Sequence, residues 1–228
     1  MSSDPNASPI NALPPAVVLL ALPMVLIELA FSAGAQGFIG GADAVGWRIA
    51  ALERYAFIGL LFDVMLESWV WPLEHVIRLF TYPFVHLSFL HMIMVLVFLL
   101  ALGKLVGDVF GSVAVVTIFF ASAIFGAVVF ALVTNDPVPL AGGYPAVYGL
   151  IGGYTFLLWV RIGQTGGPQA QAFTLIAILM FIQLVFGLLF GAGLDWIADL
   201  AGFAAGFGTS ILVSPGGWAR MLARLRQR

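Results

Sequence analysis

"AGGYPAVYGLIGGY", residues 141–154, is the stretch that decides the fold. Two glycines give a flexible approach to it. Pro145 then suits the first turn of a helix, where its missing N–H leaves no bond unmade. Behind it Gly149 and Gly153 stand four apart on one helix face. That small-xxx-small spacing lets two membrane helices approach closely. A second seam runs through "ADLAGFAAGFGTS" (198–210) as Ala198, Gly202 and Gly206. The two seams predict a contact between the helices that carry them. Both begin with a polar residue at the same end, Tyr144 on one and Asp199 on the other. The pattern therefore puts Tyr144 near Asp199, with His86 and His91 as the next neighbours.

Composition says which solvent these helices meet. The 228-residue chain is 62% hydrophobic and 9% charged, with a mean hydropathy of +1.08. A soluble domain carries about 25% charged residues, so most of this chain is expected in lipid. The 20 Phe and 6 Trp fit a bilayer core with interfacial tryptophans. A net charge of −2 offers nothing to nucleic acid. There is no cysteine, hence no disulfide framework and no thiol nucleophile. The opening "MSSDPNASPINA" has no Lys or Arg, so the first apolar run is expected to be a retained span rather than a cleaved signal.

Six apolar runs are long enough to cross about 30 Å of hydrocarbon as helix. They lie at about 14–34, 80–103, 112–133, 144–163, 171–191 and 196–213. Residues 35–78 form one long connection, whose "GWRIAALERYAFIGLLFDVMLESWVWPL" (46–73) mixes apolar residues with Arg48, Glu53, Arg54, Asp63 and Glu67. It reads as one or two amphipathic helices in the interface, with Trp47, Trp69 and Trp71 at headgroup depth. A seventh, poor span over 55–71 is the alternative. It places Asp63 near the bilayer centre, which costs about 2.5–3.5 kcal/mol. The fold class is thus an all-α membrane protein, a six-helix bundle with a long interfacial loop between helices 1 and 2. Its expected parts are a short polar tail (1–13), one membrane domain (14–213) and a basic tail (214–228).

Polar residues inside spans are expensive in lipid and need a reason. Glu28 lies in the first run, His86 and His91 at the start of the second with Ser88 between them, and Asp195 and Asp199 at the start of the sixth. No HExxH helix pair exists and only three histidines occur, so no metal is expected. A Ser88–His91 pair on one helix has no visible oxyanion donors around it. The bland reading is that these groups satisfy one another and nearby loop backbone.

Three stretches together resemble the rhomboid family of intramembrane proteins, over essentially the whole chain. "RLFTYPFVHLSFLHMIMVLVFLLALG" (78–103) resembles the family's second span, with Arg78, Thr81, Phe84, His86 and His91 in place. "GGYPAVYGLIGG" (142–153) resembles its fourth, usually Gly-x-Ser-Gly-Ala-x-x-Gly. "DWIADLAGFAAGF" (195–207) resembles its sixth, usually Ala-His-x-Gly-Gly-x-x-x-Gly. The resemblance implies six spans, a long first connection and close packing of spans four and six. It also implies a Ser–His dyad and an oxyanion site. Here the serine position carries Tyr144 and the next glycine is Pro145. The dyad histidine is Asp199, Ala201 replaces a glycine, and the assisting asparagine of span two falls on Val95. His86 and His91 remain as oxyanion-side remnants.

A phenol of pKa about 10 beside a carboxylate of about 3.9 is a poor nucleophile–base pair. The expectation is a plug, with the Tyr144 ring filling the cavity and its hydroxyl donating to Asp199. The resulting function is that of a catalytically inactive, rhomboid-like pseudoprotease without cofactor or metal. It would bind transmembrane segments of client or partner proteins, including as a stable subunit of a larger membrane complex. The alternative is a rhomboid-type intramembrane serine-type endopeptidase with a non-standard active site.

Basic residues set the orientation. Six spans put both termini on one side, with Lys104, Arg161, Arg220, Arg224, Arg226 and Arg228, against Arg48, Arg54 and Arg78 on the other. The positive-inside rule makes the termini cytoplasmic, the tail "WARMLARLRQR" (218–228) lies on anionic lipid, and the expected location is a bacterial inner membrane. Topology reporters fused after Arg161 and within residues 40–50 are expected on opposite sides of the membrane; finding both on one side would refute the arrangement.

Overall fold

The computed structural model describes residues 12–134, 136–191 and 193–214. Most of the expected N-terminal tail and nearly all of the basic tail lie outside them. Among the described residues the chain is all-α. The helices, in order, are α1 (Pro15–Ala35), α2 (Trp47–Tyr55), α3 (Gly59–Ser68), α4 (Leu73–Val76), α5 (Arg78–Thr81), α6 (Phe89–Phe110), α7 (Ser112–Val133), α8 (Tyr144–Gln164), α9 (Thr174–Phe190) and α10 (Asp195–Val213). Six of these regions are long and apolar enough to cross a membrane: α1, α6, α7, α8, α9 with the 3-10 turn before it, and α10.

Local chemistry sets the helix ends. Pro15 opens α1, as a residue with no N–H to satisfy. The α6–α7 join is the single residue Gly111, whose φ of +87° reverses the chain at little cost. The second span begins later than expected. Residues 80–88 do not extend it. Tyr82–Phe84 is a 3-10 turn around Pro83, and Val85 and Ser88 are extended. Ser88 is the N-cap of α6, its hydroxyl accepting the His91 N–H at 3.1 Å. The expected histidine pair on one helix is corrected accordingly: His86 precedes the helix and His91 lies in its first turn.

α8 is the axis of the bundle, with Pro145 to Gly153, Thr155 and Phe156 all buried. It packs against α10, α7 and α6. Glycine allows this. A Cβ at Gly206 would overlap the backbone of Gly149, and one at Gly202 would overlap the backbone of Pro145. Gly152, which the four-residue spacing passed over, also faces α10 at Phe203 and Phe207. Gly153 meets Ser210, also on α10, together with Ile118 of α7 and Val106 of α6. The carbonyl of Ala198 lies against Gly126 of α7. By contrast α9 buries almost nothing, presenting Phe181, Leu184, Leu188 and Leu189 outward. An apolar helix with no buried side is one solvated by lipid or by another helix.

The 35–78 connection is a string of short pieces. α3, its longest helix, has 10 residues and spans about 15 Å, so residues 55–71 are not a seventh span. The connection is tied down by backbone and charge. Phe57 and Leu140 exchange two backbone hydrogen bonds of 2.9 and 2.8 Å. Arg78 donates to the Ala56 carbonyl at 2.9 Å, and Thr81 to that of Tyr55 at 3.1 Å. Glu28, 1% exposed inside α1, receives both terminal nitrogens of Arg48, at 2.6 and 2.8 Å.

Two substitutions separate packing from propensity. Gly206→Ala is expected to cost about 1–3 kcal/mol by forcing α8 and α10 apart. Gly208→Ala, on the same helix with open space around it, is expected to stay within about 0.5 kcal/mol. Thermal melts in detergent would compare them.

Candidate functional site

The seams bring one polar cluster together at the start of α8. His86 enters from the loop before α6 and His91 from its first turn, their rings edge to face with centroids 5.3 Å apart. Gly142 lies on both. Its φ is +90°, and a Cβ there would stand 2.6 Å from His91 Cε1 and Nε2. Gly143 does the same against Val95, whose Cγ1 would be 2.8 Å from an added Cβ. The two glycines thus serve close approach as well as turning. The Gly142 N–H donates to the Tyr82 carbonyl at 2.9 Å. Tyr82, fully buried, donates its hydroxyl to the Ala123 carbonyl at 2.8 Å.

Tyr144, the first residue of α8, stacks its ring on His91 with centroids 5.0 Å apart and planes 17° from parallel. Its other neighbour is Tyr148, edge-on at 6.4 Å. The expected bond from Tyr144 to Asp199 is corrected: among the described residues no hydrogen bond joins them. Asp199 Oδ2 is taken instead by the Gln183 amide nitrogen at 2.8 Å. The Tyr148 hydroxyl donates to the Gln183 amide oxygen at 3.2 Å. The chain Tyr148–Gln183–Asp199 therefore joins α8, α9 and α10, and Tyr144 lies flat on the histidine beside it.

Several polar atoms here are buried without a partner among the described residues: Nε2 of His86, Nε2 of His91 and Oδ1 of Asp199. Burial pushes the His86 imidazole down to about 3, with His91 nearby adding to the effect, so it is neutral at physiological pH. Its carbonyl accepts Arg48 Nη1 at 2.9 Å, which ties the histidine loop to the Glu28 ion pair.

Among the described residues of the cluster, no hydrogen bond couples a hydroxyl to a histidine or carboxylate side chain. A nucleophile needs a base within hydrogen-bond reach. Tyr144 has none, and Ser88 is engaged as a helix cap. Val95, wholly buried beside Gly143, has an apolar side chain with no hydrogen-bond donor. Among the described residues no group of three or more His, Cys, Asp or Glu side chains could hold a metal.

Sequence reasoning misses three members: Gln183, its donor Tyr148, and Arg48 as the partner of Glu28. Gln183 is an amide in the middle of the apolar run "LMFIQLVF" (179–186), and such a group in a span calls for a partner. Arg48 was grouped with the interfacial residues, although Glu28 in α1 was in need of a cation. Residues 73–216, well over half of the chain, match the family model described as Rhomboid domain. No curated protein matches the chain at a significant level.

The geometry separates two similar substitutions. Tyr148→Phe, which removes a bonded hydroxyl, is expected to cost about 0.5–1.5 kcal/mol. Tyr144→Phe, which removes an unbonded one, is expected to stay within about 0.5 kcal/mol. Equal losses in parallel melts would refute the assignment.

Proposed function

The chain belongs to the rhomboid family, and on that premise we propose that it is a catalytically inactive member that binds transmembrane helices of other membrane proteins, as an accessory subunit or as a stabiliser of clients. One observation carries this. At the two positions that match the family's dyad, the side chains are engaged elsewhere, Tyr144 against His91 and Asp199 with Gln183. Peptide hydrolysis needs a small activated hydroxyl, a base of near-neutral pKa and a polarised oxyanion site. The Tyr144 phenol is bulky and stacked on His91, and the apolar Val95 supplies no donor; both weigh against hydrolysis. The frame that receives a transmembrane helix is retained while the working parts are replaced. The weakly buried α9, beside the cluster, supports helix binding, because its outward face matches the chemistry of another apolar helix.

The second reading, an endopeptidase with a non-standard site, draws on the family match and on the unpartnered Asp199 Oδ1. It requires Tyr144 to attack with Asp199 as base, across a gap that no hydrogen bond closes. The two differ in one assay. Purified protein in liposomes is incubated with a generic transmembrane rhomboid substrate, beside a Tyr144→Phe variant. The expected outcome is no cleavage by either, with a membrane protein co-purifying from native membrane. Cleavage by the wild type that vanishes in the variant would make Tyr144 a nucleophile and overturn the proposal.

A further inference from the structure

The opposite end of the bundle carries a feature that neither the cluster nor the family match uses. α6 and α8 run parallel, since His91 meets Tyr144 at one end and Phe110 meets Phe156 toward the other. Between their C-terminal halves lies a groove of about 410 Å³. Leu105 and Val109 of α6 and Leu157 and Leu158 of α8 wall it, and Arg161 and Gln164 line it in the last turns of α8. Its size is that of a small-molecule site. Its chemistry is divided along its length, apolar within the bundle and cationic where α8 ends.

The cation is uncompensated. Lys104, the other described cation at this end, is already engaged by Asp108 at 3.1 Å and by the Ala12 carbonyl at 3.2 Å. Arg161 is exposed and, among the described residues, has no ion-pair partner. The next residue but one before it is Trp159, stacked on Phe156 with centroids 6.4 Å apart, and tryptophan favours headgroup depth. A guanidinium fork beside an amide, at headgroup depth, matches a phosphodiester. An apolar channel leading from it into the bilayer matches an acyl chain. Basic pockets between membrane helices take anionic lipid headgroups by this logic.

We propose that the α6–α8 groove is a binding site for an anionic phospholipid, with the acyl chain along Leu105, Val109, Leu157 and Leu158 and the headgroup phosphate on Arg161 and Gln164. Ser214 also borders the groove, and Arg220, Arg224, Arg226 and Arg228 follow it in the sequence. Those arginines would collect the same lipids without using the groove, and the experiment has to tell the two apart.

The full chain in detergent is titrated with phosphatidylglycerol or with phosphatidylcholine, and bound lipid is counted by native mass spectrometry. The expected result is one tightly held phosphatidylglycerol, preferred over phosphatidylcholine. Arg161→Gln is expected to reduce that preference about fivefold, the loss of one favourable cation near a phosphate. Leu105→Trp keeps the cation and fills the groove, and is expected to weaken both lipids. A variant with the four tail arginines changed to glutamine is expected to keep the tight site. The proposal is overturned if Arg161→Gln leaves the preference unchanged, if Leu105→Trp binds as the wild type does, or if the preference disappears only with the tail arginines. Binding of free inorganic phosphate with the same dependence on Arg161, and no added affinity for the lipid, would overturn it as well. Size-exclusion profiles verify that each variant is folded; Arg161→Gln changes an exposed residue and is the variant least exposed to misfolding.

Discussion

Everything in this bundle depends on the backbone contact between α8 and α10. Lipid is as apolar as leucine, so burying apolar side chains does not by itself drive membrane helices together. Close approach of two backbones does, because many atoms then come within van der Waals range. Gly149, Gly152, Gly202 and Gly206 remove the side chains that would prevent it. Once the two helices touch, the residues at their starts are neighbours whatever those residues are. The geometry that places Tyr144 and Asp199 in one cluster is therefore independent of the chemistry they carry. A rhomboid frame can therefore keep its shape whichever residues stand at the starts of these two helices.

Polar groups then decide how the outer parts attach. Polar side chains are expensive in lipid, and several here are met within the protein. Glu28 finds Arg48, Asp199 finds Gln183, and Gln183 finds Tyr148. Each of these links joins elements that have little apolar contact with one another. The 35–78 connection is tied to α1 by one ion pair and to the α7–α8 connection by one pair of backbone bonds. α9 is tied to the centre through the Gln183 amide and through Ile176, Leu175, Leu179 and Met180, which pack on the core. The protein is thus a close-packed core of α1, α6, α7, α8 and α10, joined by Phe57, Phe62 and Met65 of the connection and Ile176 of α9, with polar contacts that fix how these outer pieces seat.

The helical spans were legible in the sequence because a membrane helix has one dominant requirement, a run of apolar residues about 20 long. Five of the six agree in place to within about three residues at either end. The second does not, because Pro83 and Ser88 are apolar-neutral to a hydropathy count yet stop and cap the backbone. The seams were legible through the spacing of four, but Gly152 was not, since a helix packed on three sides uses more than one stripe. Within the cluster, the residues at Tyr144, Asp199, His86 and His91 were found by position along the chain. Their partners were not, because a hydrogen bond in three dimensions leaves no spacing in one. Gln183 is 16 residues from Asp199 and 35 from Tyr148. What the sequence does contain is the demand, an amide or carboxylate in an apolar run, without the address of what meets it.

The Glu28–Arg48 pair has a consequence for how the protein is made. The carboxylate precedes its cation by 20 residues, so α1 is synthesised complete before Arg48 emerges. During that interval the helix carries an acid with no partner in the chain, at a position that ends 1% exposed, and an unpaired acid at such depth is costly. The final seating of the first helix therefore waits on a segment outside the bilayer's apolar run. The same guanidinium then takes the carbonyl of His86, which is synthesised later still. In order of synthesis the acid comes first, then the arginine that pairs with it, then the loop whose carbonyl that arginine holds.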